Sequence, residues 1–309
     1  MTISVKPLDG PLGAEIRGLD ARNITAEDRQ ALLDAFNAYH LLIVHGPTIT
    51  DEELVEFGKS FGHIEKARKK SPLSDRDDIM VISNIRQDGE LVGSLPDGEM
   101  SYHFDRIHQA QPCKGAALHG LEIPSEGGDT CFANMVRAYE TLPEATKKRI
   151  EGLKALNTFT YGATKRDSKD ELGPHAIHPV VRRIPETGKK ALYVCRLMTD
   201  SIVGLPEDES AALITELCDH IEHTGLIYQH KWTVGDIVVW DNRCTSHART
   251  DFSDKERRLM KRVTIGDTVP PLQKSIRLTS KPAPRQRGFF CDVQALDFVA
   301  FAPQLLRLE

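Results

Sequence analysis

Short apolar runs bracketed by turn-forming residues recur through most of this chain. Residues 41–45 (LLIVH), 78–83 (DIMVIS), 115–121, 191–195 and 237–240 are too short for packing helices and too apolar for loops, so each reads as a strand. Residues 102–105 and 258–266 alternate well enough to join them, and the segment from Val5 to Leu19 reads as short strands around Gly10 and Gly13. Asp88-Gly89 and Gly235-Asp236 mark turns between runs. Helices are fewer. Thr25 caps one running to about Tyr39, and Thr50 with Glu53 forms a capping box that opens another through about Phe61. A third begins near Asn134 and breaks at Pro143. A fourth spans 207–223, with Leu213, Ile214, Leu217, Cys218 and Ile221 on one face. No βαβ unit repeats and no GxGxxG is present, which disfavours a doubly wound nucleotide fold. The pattern predicts a mainly β chain with flanking helices, a sandwich or jelly roll.

Length and composition narrow the class. At 309 residues with 40% hydrophobic and 28% charged residues, the chain has the make-up of a globular protein. No run approaches the length of a membrane-spanning helix, and the N-terminus MTISVKPLDG lacks a basic-then-apolar leader pattern. A net charge of -5 makes general nucleic-acid binding a poor fit. The six cysteines form no CxxC pair, and they read as reduced thiols of a cytoplasmic protein. Residues 1–268 read as a single domain. Residues 269–309 differ in character: PPLQ and KPAPRQRG precede an apolar end, a tail that is peripheral or contacts another subunit.

Two clusters could carry chemistry. In His103-Phe104-Asp105, residues i and i+2 of a strand point the same way, so an imidazole and a carboxylate can meet at one ion. The best-placed third ligand is His247, which follows the apolar run 237–240. Two His and one carboxylate form a facial triad, the donor set of non-haem Fe(II) oxygenases. In RRLMKR, period two places Arg258, Met260, Arg262 and Thr264 on one face. If that face looks inward, two guanidiniums enter an apolar interior, where they need an anion such as a carboxylate.

Taken together, YHFD (102–105), EIPSEGGDTCFANM (122–135), HPVVRRIPETGKKALYV (178–194), VVWDNRCTSHA (238–248) and RRLMKRV (257–263) resemble the Fe(II)/2-oxoglutarate-dependent dioxygenases of the taurine dioxygenase and 2,4-dichlorophenoxyacetate dioxygenase family. The resemblance runs from about Ile3 to Gly266. It implies a double-stranded β-helix fold, with Fe(II) held by His103, Asp105 and His247. It further implies that Thr130 of the GGDT motif and Arg258 bind the distal carboxylate of 2-oxoglutarate. Arg262 would face the iron-bound end of the cosubstrate or the substrate. The implied reaction consumes O2 and 2-oxoglutarate, releases succinate and CO2, and hydroxylates an aliphatic C–H of a small molecule.

Departures from the family pattern bear on the substrate. Tyr102 stands where Trp is common and Phe104 where a small or polar residue is common. The region KKSPLSDRDD has no match for the histidine that serves sulfonate binding, which counts against taurine itself. Iron, Asp105 and 2-oxoglutarate leave one negative charge; Arg258 cancels it, and Arg262 leaves one positive charge. The surplus predicts an anionic substrate, a sulfonate, aryloxyalkanoate or similar. Glu99 pointing inward would instead favour an amine or amino-acid-derived substrate. The basic stretch KARKK (66–70) could aid capture if it lies at the mouth, and Phe104 and Met260 are candidates for the pocket wall. A different class of reading is a jelly roll that binds 2-oxoglutarate or metal without turnover. By resemblance, a homo-oligomer, dimer or tetramer, is expected; no nucleic-acid or membrane partner is.

Overall fold

Two antiparallel-rich sheets carry the fold in the computed structural model, which describes residues 3–67, 70–95, 98–159 and 174–268. The larger is eight-stranded. Its path runs Ser4–Pro7, Ala14–Arg17, Leu41–Val44, Ile237–Asp241, Gly115–Glu122, Leu259–Ile265 and Ile64–Glu65, with Met80–Ser83 also paired to Leu259–Ile265. The smaller orders Ile227–His230, Thr130–Asn134, Thr245–Arg249 and Met100–His103.

The continuous apolar runs in the sequence have a simple cause: the central strands of the large sheet are covered on both faces. Leu41, Ile43, Val238, Trp240, Leu118 and Met260 point inward, where they pack with Phe132 and Trp232 of the small-sheet side. The alternate residues Leu42, Val44, Val239, Ala117 and Val263 point outward against helices. Those helices are Ala26–Tyr39 and Asp51–Gly58, contributing Leu32, Phe36, Leu54 and Phe57. Full burial of Leu32 and Phe36 contributes about 1.5–3 kcal/mol each. Both helices open on the caps read from the sequence, Thr50 in its capping box with Glu53 and Thr25, which the structure shows to form a second box with Asp28. His40 ends the first helix in the left-handed conformation, and the chain passes directly into Leu41–Val44.

The interrupted helix is also observed, as Met135–Thr141 and Glu144–Ile150, on either side of Leu142-Pro143. The helix Glu207–Ile221 buries Leu213, Leu217, Cys218 and Ile221. Some strand limits differ from the sequence reading. The 191–195 run is strand only over Lys190–Leu192, and Arg258 lies just before its strand. The five described cysteines are free, and no described helix is long and apolar enough to cross a membrane. The tail at 269–309 and residues 68–69 of KARKK lie outside the described residues.

Candidate active site

The chain leaves the large sheet at Asp241, turns through Asn242, Arg243 and Cys244, and enters the small sheet at Thr245. This turn sets His247 on the strand that pairs with Met100–His103. There, His247 and His103 are direct cross-strand partners, with ring centroids 4.1 Å apart. Direct partners share a face, so both imidazoles point into the space between the sheets. Trp240 and Phe132 pack against the His247 ring at 4.8 and 6.2 Å between centroids and fix its plane.

Asp105 arrives differently from the i, i+2 argument. The strand ends at His103, so strand alternation does not place the carboxylate. A turn does. Arg106 adopts φ 57°, the Asp105 N–H donates to Asn242 Oδ1 at 2.8 Å, and Asn242 Nδ2 donates back to the Asp105 carbonyl at 3.0 Å. So held, Asp105 Oδ2 lies 3.7 Å from His247 Nε2, and the ligating atoms of His103, Asp105 and His247 all fall within 4.8 Å of one another.

The electrostatics suit a cation. The Ser101 carbonyl accepts from His103 Nδ1 at 3.0 Å, which puts the proton there and leaves the Nε2 lone pair open. Burial pushes the pKa of His103 below the ordinary range and that of His247 well below it, His103 adding to the latter, so both rings are neutral. Burial opposes ionisation of Asp105. The Arg262 guanidinium, by its charge and its hydrogen bond, overcomes it and brings the carboxyl to about 2. Arg262 Nη1 donates to Asp105 Oδ1 at 2.9 Å. Its Nη2 approaches Oδ2 at 2.8 Å but off the line of a hydrogen bond, so Oδ2 is buried without a donor among the described residues. Two neutral imidazoles and a carboxylate with a spare oxygen are the protonation state that Fe(II) requires. A second buried trio, His40, Asp241 and Cys244, is less suited to metal, because the Arg243 guanidinium takes both Asp241 oxygens.

Arg258, Met260, Arg262 and Thr264 share one face, as the alternation predicts, and the structure turns that face inward. Arg258 is 2% exposed and Arg262 7%, while Arg257 and Lys261 turn away to Glu122 and Asp51. Arg258 ends in a recess with Thr130, Ile82, Leu118 and Trp240, beside the two histidines. Its Nη2 donates to the Gly128 carbonyl at 3.3 Å, and its Nε is buried without an acceptor among the described residues. Burial, and then the Arg249 cation, pull its pKa down to about 9; Asp129 offsets this in part. The Thr130 hydroxyl accepts from Trp232 Nε1 at 3.0 Å, which leaves its own proton to donate into the recess. Gly127 and Gly128 make this approach feasible. Both have positive φ, and a Cβ on Gly128 would lie 3.2 Å from Arg258 Nε.

A larger cavity of about 270 Å³ adjoins the triad. His103, Asp105, Arg106 and Arg262 border it, with walls of Met80, Met100, Phe159 and Met198. Ala67 of KARKK lines it, but the Lys66 ammonium turns outward to Asp77. Glu99 is exposed and is not part of either wall. Phe104 and Met260 pack in the core, Phe104 against Tyr193, instead of lining a pocket. Asn242, Trp232 and Arg106 escaped the sequence reading, since their contacts span from forty to well over one hundred positions and no local pattern marks them.

Residues 4–264 match the family described as "Taurine catabolism dioxygenase TauD, TfdA family". Pentalenolactone F synthase of Streptomyces arenae is 31% identical over 285 residues, covering 84% of this chain and 94% of the relative. The (S)-phenoxypropionate/alpha-ketoglutarate-dioxygenase of Sphingobium herbicidovorans is 31% identical over 276 residues, covering 83% and 92%. Among solved structures, AAD-2 in complex with Mn(II) and N-oxalylglycine superposes with a TM-score of 0.75 at 28% identity, covering 88% of this chain and all of that one.

Proposed function

The chain belongs to the TauD/TfdA family of dioxygenases, and we propose that His103, Asp105 and His247 hold its Fe(II) while Thr130 and Arg258 hold the distal carboxylate of 2-oxoglutarate. The protein is an Fe(II)/2-oxoglutarate-dependent dioxygenase on a double-stranded β-helix. The assignment of residues rests on one observation: two unmet needs adjoin one another. Among the described residues, Asp105 Oδ2 lacks a hydrogen-bond donor, and Arg258 has a buried Nε without an acceptor and a charge that Asp129 offsets only in part. A cation beside the first and a carboxylate beside the second remove both costs.

Bound together there, Fe(II), 2-oxoglutarate and O2 supply the oxidising power that hydroxylates an unactivated C–H bond, with release of succinate and CO2. The chain supplies the positions. Ser101 fixes the His103 tautomer, Asn242 holds the backbone of Asp105, and Trp232 aims the Thr130 hydroxyl. Arg262, in contact with Asp105, presents a cation to the metal-side end of the cosubstrate and to the larger cavity.

The substrate is a small organic acid with an apolar body, of the aryloxyalkanoate, sulfonate or sulfate-ester kind. The thioether and aromatic walls take the body and the surplus cation takes the acid. A relative named for (S)-phenoxypropionate supports this reading. Residues 1–268 are assigned as the catalytic domain and 269–309 as a tail, peripheral or contacting another subunit of a homo-oligomer. The free thiols favour a cytoplasmic location.

Anaerobic addition of Fe(II) and 2-oxoglutarate tests the assignment. A visible charge-transfer band should form and be lost in His247→Ala. A succinate-release screen over aryloxyalkanoates, sulfonates and sulfate esters, each acid run beside its uncharged counterpart, then tests the substrate. Equal rates for an acid and its amide sink the anion reading.

A further inference from the structure

Among the described residues two guanidiniums border the larger cavity, and the reading above uses only Arg262. The other, Arg106, directly follows Asp105. Its φ of 57° is a conformation that residues with a side chain seldom adopt, and its side chain is only 17% exposed. It is held by one carboxylate. Arg106 Nη1 donates to Glu65 Oε2, and among the described residues Nη2 has a single long contact, 3.5 Å, with the Lys66 carbonyl. Glu65 closes the short strand Ile64–Glu65, where the chain enters the basic stretch whose Ala67 lines the same cavity. Lys66 is spent on Asp77, so among the described residues of this rim the cation that borders the cavity is Arg106.

The Arg106–Glu65 pair is neutral and lies at the rim. The Glu65 side chain is 28% exposed, so its carboxylate can pass into water at small cost if another acid takes its place. The interior keeps the surplus positive charge described above. An acid entering the cavity therefore meets Arg262 beside the triad and Arg106 at the edge, while its apolar body faces Met80, Phe159 and Met198. A planar guanidinium that exchanges one carboxylate for another loses no hydrogen bonds.

We propose that Arg106 is a specificity-determining residue for the acid group of a monoanionic substrate, and that Glu65 occupies Arg106 until such an acid displaces it. This rests on the dioxygenase reading and deepens it, since the selected class becomes carboxylic acids with a compact apolar body. The pair also makes a sign prediction. If Arg106 and Glu65 only clamp the strand Ile64–Glu65 to the turn, breaking the pair from either side has the same effect. If Arg106 binds substrate in competition with Glu65, the two sides act in opposite directions.

The test uses the full chain loaded anaerobically with Fe(II) and 2-oxoglutarate. Phenoxyacetate, (S)-2-phenoxypropionate, 2,4-dichlorophenoxyacetate and hexanoate are titrated beside their amides, and the shift of the visible band gives each Kd. Arg106→Gln should weaken the acids at least tenfold and leave the amides within twofold. Glu65→Gln should tighten the same acids severalfold, and Arg106→Lys should fall between wild type and Arg106→Gln. The Kd of 2-oxoglutarate, read from formation of the band, should stay constant throughout. Weakening of acids by both Arg106→Gln and Glu65→Gln overturns the proposal, as does an acid affinity indifferent to Arg106→Gln. If the band forms in wild type and none of the acids shifts it, the proposal fails while the dioxygenase reading stands; if no band forms, both fail. Should Arg106→Gln not fold, tighter acid binding by Glu65→Gln still supports the proposal, and weaker or unchanged binding still refutes it.

Discussion

Asn242 and Asp105 hold one another by a reciprocal pair of hydrogen bonds, N–H to Oδ1 at 2.8 Å and Nδ2–H to the carbonyl at 3.0 Å, across 137 positions of sequence. Asn242 sits in the turn that leads to His247, so one side chain sets the distance between a carboxylate on one segment and an imidazole on another. Its Nδ2 also reaches the Cys113 carbonyl at 3.2 Å, which ties the segment after Asp105 to the same point.

Asn242→Asp is isosteric but cannot donate to the two carbonyls, and it buries a new negative charge. We expect Fe(II) affinity to fall about ten- to a hundredfold, the range for loss of a group that orients a ligand. Anaerobic Fe(II) titration checks this. Circular dichroism should show the sheets intact, and an unchanged affinity would mean that the turn holds Asp105 without Asn242.

Arg258 should act on 2-oxoglutarate alone. Arg258→Met removes one partner of a buried charge pair, an expected loss of about 2–4 kcal/mol, or roughly thirty- to a thousandfold in Kd. Thr130→Val and Trp232→Phe should each weaken 2-oxoglutarate by about tenfold or less, through one hydrogen bond. Fe(II) binding without cosubstrate should be unaffected in all three. A change in Fe(II) affinity equal to that in 2-oxoglutarate affinity would place Arg258 with the metal instead.

The sequence yields these two parts of the site unequally. Arg262 follows from period two, because it lies with Met260 and Thr264 on one face of the strand Leu259–Ile265; Arg258 stands just before that strand, on the far side of a register shift between Leu259 and Met260, and still shares the inward face. The helices at 26–39 and 51–58 follow from their N-caps, Thr25 and the Thr50–Glu53 box, which are local. The i, i+2 spacing brings His103 and Asp105 together by a geometry that the structure does not use. The strand stops at His103, and the carboxylate comes back through a left-handed residue and a partner far along the chain. Trp232 under Thr130 and Glu65 on Arg106 have no local signature either, since what places them is sheet order. Period and caps are written in neighbouring residues; the contacts that aim the site are written in topology.

Gly127 should be intolerant of a side chain for two separate reasons. Its φ is 73°, and a Cβ there would lie 2.1 Å from the Asp251 carbonyl oxygen, a backbone atom that cannot swing aside. Gly127→Ala should cost about 1–3 kcal/mol of stability. It should also raise the Kd of 2-oxoglutarate, because the displaced loop carries the Gly128 carbonyl that receives Arg258. Thermal melts with and without 2-oxoglutarate separate the effects. A variant with wild-type Tm and wild-type cosubstrate shift would show that the loop relaxes freely.

Asp241 links stability to pH. Its carboxylate is fully buried, and Arg243 donates to both oxygens, Nε to Oδ1 at 2.8 Å and Nη2 to Oδ2 at 2.9 Å. Burial pushes its pKa upward, and the Arg243 charge and hydrogen bonds, with His40, outweigh that, so the folded-state value lies below the ordinary one. A carboxyl depressed in the folded state adds stability above the unfolded pKa of about 3.9, and loses it as pH falls through the folded value. Asp241→Asn keeps the shape and removes the charge, leaving Arg243 with Glu186. At pH 7 it should destabilise by about 3 kcal/mol, the lower end for breaking a buried pair. The gap between wild type and variant should stay constant from about pH 7 to pH 5 and narrow below about pH 4, since only wild type has the proton to gain. Urea melts across that range measure it. A gap that held constant into strong acid would mean that Asp241 is not the group whose protonation weakens the fold.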